Sequence, residues 1–155
     1  MNSKPININP RRLKKLLKEL VDIYSPSGKE EENVDFAGEY LEKHGIAASR
    51  QEVDENRFNL IAFPEGKYET ELCFVGHLDT VTAHDLEDFG FYEEDGTIFG
   101  LGATDMKAGC AAMMEAFIAL SGRKKAFPPV GLALVVGEEE DDVRPRRRPR
   151  CIAGL

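Results

Sequence analysis

The chain has 155 residues, 42% of them apolar and 31% charged, with a formal net charge of −8. This length gives room for one domain with a hydrophobic core, and the composition is that of an ordinary globular protein. No apolar run approaches the roughly 20 residues of a membrane helix, so a membrane protein is not expected. The first thirty residues are polar and basic and lack a secretory signal pattern, so we expect a cytoplasmic protein.

The acidic charge is unevenly distributed. Five arginines are crowded into residues 141–155, so the preceding body of the chain is more acidic than the net charge suggests. An acidic body repels a phosphate backbone. Nucleic-acid binding by the main domain is therefore not expected.

Two helices are predicted at the start of the chain. Asn9 and Pro10 are typical of an N-cap and a first helical residue, and leucines recur after them at helical spacing as far as Tyr24. A second helix is predicted over residues 29–44, ending at Gly45.

The rest of the chain alternates strand-like and helical patterns. Asp95-Gly96 predicts a hairpin turn, and the apolar run 72–75 predicts a buried strand. Further strands are predicted at 47–53, 58–63 and 130–136, with a helix at 106–120. This order of elements indicates an α/β fold, with helices packed on a central mixed sheet.

The final segment, 141–155, has no periodicity and alternates arginine with proline. Such a sequence cannot form part of a hydrophobic core. We therefore divide the chain into a domain, 1–140, and a disordered tail, 141–155. The tail is interpreted either as a basic interaction segment or as an unselected end, such as a frameshift leaves.

The first chemically suggestive cluster is residues 76–81. His77 follows an apolar strand and can offer an imidazole nitrogen to a metal ion, while Asp79 lies on the same side and can orient it. A solvent-exposed histidine beside an aspartate is the alternative interpretation.

The second cluster, 100–109, is rich in glycine and places Asp105 at the predicted start of a helix. A carboxylate there is favoured by the helix dipole, and it either caps the helix or binds a cation. The spacing is not that of a phosphate-binding loop.

The third cluster is Gly137 followed by three glutamates, 138–140, at the end of a predicted strand. Adjacent carboxylates either form a solvated turn or divide two tasks, cation binding and proton transfer. Taken together, the three clusters lie at the ends of elements of an α/β sheet, where such sheets build their sites, and contain the ligand types that zinc prefers.

In this order the three clusters resemble those of the M20 metallopeptidase family, which includes deacylases and carboxypeptidases. The resemblance implies a zinc-exopeptidase-like catalytic domain with two metal ions, usually zinc, with Co²⁺ or Mn²⁺ as possible substitutes. By motif position, His77 would bind one ion, Asp79 would support that histidine, and Asp105 would bridge both ions.

The family's paired acids match Glu139 and Glu140 best. Glu139 would then be the general base and Glu140 a ligand of the second ion. A register one residue earlier, with Glu138 and Glu139 as the pair, is the alternative.

The resemblance implies hydrolysis of the amide bond of a small peptide or an N-acyl amino acid. It covers only the N-terminal part of the family's catalytic domain, so we expect a truncated site with impaired activity. A truncated sheet exposes an unpaired edge, which predicts self-association. The alternative function is that of a non-catalytic fragment or an interaction module with a basic tail.

Overall fold

A computed structural model describes residues 6–63, 70–122 and 129–139. Glu140 and the segment 141–155 therefore lie outside the described residues, and the predictions for them stay predictions. The helices are α1 (Pro10–Asp22), α2 (Glu31–Lys43) and α3 (Ala108–Ser121). The strands are β1 (Ala48–Asp54), β2 (Arg57–Ala62), β3 (Leu72–His77), β4 (Tyr92–Glu94), β5 (Thr97–Phe99) and β6 (Val130–Val135).

The start of α1 confirms the predicted cap. The side chain of Asn9 accepts hydrogen bonds from the backbone N–H groups of Arg11 and Arg12, and Pro10 is the first helical residue. The predicted leucine stripe is the buried face of the helix. Local sequence therefore determines both the start and the orientation of α1.

Four strands form a mixed sheet in the order β1-β2-β6-β3. β1, β2 and β6 pair in antiparallel fashion, whereas β3 runs parallel to β6 with His77 opposite Val135. Helix α2 packs on β1 and β2, and α3 packs on β3 and β6. The α/β fold with helices on a central mixed sheet is confirmed. The separate hairpin of β4 and β5 turns at the predicted Asp95-Gly96.

The prediction that 72–75 is a buried strand is wrong. Leu72 and Val75 are 50% and 46% exposed, and only the end of β3, at Gly76 and His77, is buried. These residues are exposed because, within the described part of the chain, β3 pairs with β6 alone and forms an edge of the sheet. At Gly76 an added Cβ would lie 2.5 Å from Met113 Cε, so α3 packs closely on the sheet at this point.

The helix predicted over 106–120 begins two residues later, at Ala108. An irregular turn, Ala103–Lys107, precedes it, and Asp105 has non-helical backbone angles there (φ −123°, ψ 98°). Asp105 therefore precedes α3 instead of standing at its start as expected, and of its two interpretations the helix cap is excluded. Within this turn the backbone N–H of Lys107 donates a hydrogen bond of 2.9 Å to the backbone oxygen of Gly102.

A buried ionic cluster joins the three helices. The carboxylate of Glu115 in α3 has no exposed area and accepts hydrogen bonds from Arg12 Nε and Nη2 in α1 and from Tyr40 in α2. A buried carboxylate needs such partners to remain ionised. None of the helices in the described ranges is both long and apolar enough to cross a membrane.

Candidate metal centre

His77 lies at the buried end of β3, and its ring is fixed from both sides. Its Nδ1 lies 3.0 Å from the backbone oxygen of Asp79, so this nitrogen carries the donated hydrogen. Nε2 points at Asp105, with 3.1 Å to Oδ1. The carboxylate of Asp79 is the main influence that raises the pKa of His77 to about 9, against the effect of burial and with further support from Asp105.

Asp79 is fully buried and connects three parts of the site. Its Oδ2 accepts hydrogen bonds from Ser27 Oγ at 2.7 Å and from the Glu139 N–H at 2.8 Å, and its Oδ1 lies 3.6 Å from His77 Nδ1. Burial on its own would raise the pKa of Asp79, but the nearby imidazole of His77 and the hydrogen bonds from Ser27 and the backbone outweigh it and lower the pKa. Asp79 is therefore ionised at neutral pH, facing the imidazole.

Asp105 reaches the site from the irregular turn that precedes α3. Its side chain is 77% exposed. The turn depends on Gly102, whose φ is +71° and whose added Cβ would lie 2.5 Å from the methyl carbon of Thr80. Only glycine meets both conditions without strain, so Gly102 allows the Asp105 turn to pack on the segment after His77.

Glu139 completes the cluster. One ligand atom from each of His77, Asp105 and Glu139 lies within 4.8 Å of the others. Burial is the largest influence that raises the pKa of Glu139, and the charge of Asp105 adds to it. A raised pKa suits a carboxylate that must take up a proton in a reaction.

Glu138 also lies near the imidazole, but it is more exposed to solvent than Glu139. Its Oε2 is 3.9 Å from His77 Nε2, and its side chain is 61% exposed. Glu140 is not among the described residues. Of the two described glutamates, Glu139 has a carboxylate oxygen within 4.8 Å of ligand atoms of both His77 and Asp105, whereas Glu138 approaches His77.

The three converging groups fit a divalent cation. An imidazole nitrogen and two carboxylate oxygens are ligands that zinc and similar ions take. Without a cation, two carboxylates this close repel each other, and the charge of Asp105 adds to burial in raising the pKa of Glu139. An open cavity of about 430 Å³ adjoins the cluster and is lined by Thr80, Gly102, Thr104, Asp105 and Glu139, among others.

The turn between α1 and α2 contributes to the site, and sequence reasoning missed this. Residues 25–28 belong to none of the three clusters, but Ser25 Oγ donates to Leu78 O and Ser27 Oγ to Asp79. Backbone hydrogen bonds between Ser25, Ser27 and Thr80 align the two segments. These partners are more than fifty residues apart in sequence, and no local pattern signals their contact.

Comparison with protein-family models gives a match to peptidase family M20/M25/M40 over residues 73–145. The matched segment includes His77, Asp79, Asp105 and the consecutive glutamates. The three clusters singled out in the sequence thus all lie within the family match.

Among curated proteins, the chain is 33% identical over 131 residues to a probable carboxypeptidase of Aspergillus terreus. That alignment covers 79% of this chain and 30% of the relative. It is also 33% identical over 136 residues to a succinyl-diaminopimelate desuccinylase of a Wolbachia from Brugia malayi, covering 81% of this chain and 33% of the relative. The chain therefore spans about a third of the length of these relatives.

Among solved structures, the fold is similar to aminopeptidase PepT from Bacillus cereus, with a TM-score of 0.69 and 27% identity. The superposition covers 85% of this chain and 38% of the aminopeptidase. The metallo-carboxypeptidase Sso-CP2 from Sulfolobus solfataricus, at 19% identity and a TM-score of 0.67, shares the fold.

Proposed function

Because the chain belongs to the M20/M25/M40 family of peptidases, we propose that its described residues form part of a metal centre for hydrolysis of an amide bond. The observation that carries the proposal is the convergence of His77, Asp105 and Glu139 on one point. The substrate class is a small peptide or an N-acyl amino acid, in keeping with the names of the relatives.

Zinc is the proposed ion, with Co²⁺ or Mn²⁺ as substitutes. When bound, it supplies positive charge that polarises an amide carbonyl and lowers the pKa of water. His77 would bind through Nε2, because Nδ1 is engaged by the backbone oxygen of Asp79. Asp105, with two carboxylate oxygens, is the proposed bridge between two ions.

Glu139 is the proposed general base. Its carboxylate lies beside the other two groups, and its raised pKa favours proton uptake from water and proton return to the leaving amine. Glu140 is the proposed ligand of a second ion. The earlier register, with Glu138 as base and Glu139 as ligand, is the competing assignment.

Asp79 has the proposed role of holding the imidazole. It contacts Nδ1 through its backbone oxygen and lies close to it through its carboxylate, which fixes the ring and increases the basicity of Nε2. Since the chain spans about a third of the relatives' length, the activity, substrate and cytoplasmic location of a whole protein remain part of the proposal.

Metal content after dialysis tests the centre. We expect zinc to be retained by the chain and lost on His77→Ala and on Asp105→Ala. His84→Ala is the matched control, because His84 is exposed and outside the cluster. Equal zinc content in all four proteins would contradict the metal centre.

Hydrolysis of a panel of dipeptides and N-acyl amino acids tests the reaction. We expect zinc-dependent turnover to fall by about 10²–10⁴ on Glu139→Gln, because the amide cannot accept the proton. The same loss on Glu138→Gln, with Glu139→Gln losing zinc instead, would establish the earlier register.

A further inference from the structure

We propose that Asn59, a buried residue of β2, is a positioning residue for the segment that carries Glu139. The proposal rests on the proposed function, because a metal centre is what gives the position of Glu139 its importance. Asn59 lies outside the segment that matches the family model and outside the three sequence clusters. It does not touch the converging ligand groups and would act only through the backbone at the end of β6.

The segment 135–139 makes a sharp change of direction between the sheet and the site. Val135 is the last residue of β6, where its oxygen accepts the Leu78 N–H at 2.9 Å. Gly137 then adopts a φ of +73°, and the Glu139 N–H reaches Asp79 Oδ2 at 2.8 Å. Between these two points lies Val136, which is buried and therefore needs an acceptor for its N–H.

The side chain of Asn59 accepts the hydrogen bond from the Val136 N–H. The β2–β6 ladder runs from Ala62 opposite Leu132 to Leu60 opposite Leu134, and Asn59 is the next residue of β2. At this point a side chain replaces the backbone as acceptor, because Asn59 Oδ1 lies 3.1 Å from the Val136 N–H. The Asn59 side chain thus holds the backbone at Val136, where the ladder between β2 and β6 has already ended. The backbone can therefore turn away from the sheet at Gly137.

The amide of Asn59 is itself held in one orientation. Its Nδ2 donates to Gln51 Oε1 of β1 at 3.1 Å, which leaves Oδ1 directed at Val136. Asn59 is only 5% exposed, so water does not readily replace either bond. A buried N–H left without an acceptor costs about 1–3 kcal/mol, which is enough to favour a different path for the segment.

Three variants separate positioning from simple packing. Asn59→Leu keeps a similar volume but removes the acceptor for Val136. Asn59→Asp keeps an acceptor oxygen, and the Gln51 amide can turn over to donate to the carboxylate. Gln51→Leu is the matched control. It removes the partner of Asn59 Nδ2, but the Val136 N–H can pair only with the amide oxygen and so keeps Oδ1 in place.

Hydrogen exchange in the metal-free chain gives the first readout. We expect Asn59→Leu to speed exchange of the Glu139 N–H at least tenfold, while Asn59→Asp and Gln51→Leu stay close to the unmodified chain. Unchanged exchange at Glu139 in Asn59→Leu would overturn the proposal. An equal increase in Gln51→Leu would also overturn it, because the effect would then belong to sheet packing in general.

Zinc affinity, measured by titration with zinc alone, gives the second readout. Loss of an outer partner typically weakens metal binding about 10–100-fold, and we expect a loss of this size in Asn59→Leu, with recovery in Asn59→Asp. Unchanged affinity alongside faster exchange would overturn the positioning role. If the unmodified chain binds no zinc, the proposed function fails, while the exchange experiment still decides whether Asn59 holds the segment.

Discussion

The backbone N–H of Glu139 donates a hydrogen bond to Asp79 Oδ2 over 2.8 Å, so the segment carrying one candidate ligand is tied to the residue that faces another. Asp79 lies 3.6 Å from the His77 ring through its other carboxylate oxygen. The buried carboxylate of Asp79 thus helps to fix the positions of both His77, at the end of β3, and Glu139, which follows β6.

Asp79→Asn is expected to weaken zinc binding about 10–100-fold without unfolding the chain. The amide oxygen can still accept from Ser27 and Glu139, but the negative charge beside the imidazole is lost. Calorimetric titration with zinc measures the affinity, and circular dichroism reports the fold. Ser27→Ala is the comparison and should have a smaller effect, since it removes one hydrogen bond and leaves the charge. Unchanged zinc affinity in Asp79→Asn would show that its charge has no part in the site.

The metal-free chain should lose stability as pH rises from neutral to alkaline. The pKa of His77 is raised from 6.5 to about 9, chiefly by the carboxylate of Asp79. A group whose pKa is higher in the folded than in the unfolded state stabilises the folded state. This contribution is complete below the unfolded pKa and is lost as the pH rises through the folded pKa. The relevant window is therefore about pH 6.5 to 9.

Nuclear magnetic resonance of the imidazole, combined with melting temperatures across this pH range, tests that expectation. The His77 midpoint should lie near pH 9 in the metal-free chain and should fall in Asp79→Asn. In His77→Gln the part of the pH dependence due to this group should disappear. A midpoint near 6.5 in the unmodified chain would mean that the carboxylates do not stabilise the charged ring.

Glu115→Ala is expected to destabilise the fold by about 1–3 kcal/mol. The change leaves Tyr40 and Arg12 without the carboxylate that joins them, although Arg12 is partly exposed and can recover water. Urea unfolding measures the loss. Glu39→Ala is the control: its ion pair with Lys43 is exposed and such pairs contribute less than about 1 kcal/mol. Equal effects of the two substitutions would argue against a structural role for the buried cluster.

Self-association is expected to proceed through β3, and Val75→Lys should reduce it. The strand Leu72–His77 has no charged side chain to block pairing except a buried histidine, and Leu72 and Val75 are exposed. A lysine at the edge of a sheet opposes pairing with a second chain. Light scattering should show a mass above the monomer for the unmodified chain and a shift toward the monomer for the variant.

Val53→Lys is the matched control, because Val53 is an exposed valine of β1, at the other edge of the described sheet. That strand already contains arginine, glutamate and aspartate, which protect an edge. A monomeric unmodified chain, or an equal effect of the two lysines, would contradict association through β3.

The amino-acid sequence by itself determined the elements and the three clusters. The cap at Asn9, the hairpin turn at Asp95 and the spacing of buried leucines are local, because each depends on residues within one or two turns of chain. The clusters around His77, Asp105 and Glu139 were also recognisable, since each follows or precedes an apolar element and carries groups that bind cations.

Only the tertiary structure decided which groups meet and what holds them. The exposure of Leu72 and Val75 depends on the place of β3 at the sheet edge, which an apolar run cannot reveal. The bonds of Ser27 to Asp79 and of Asn59 to Val136 join residues 52 and 77 positions apart. Such contacts arise when strands and turns pack together, and they leave no periodic pattern in the sequence because each depends on one polar atom meeting another.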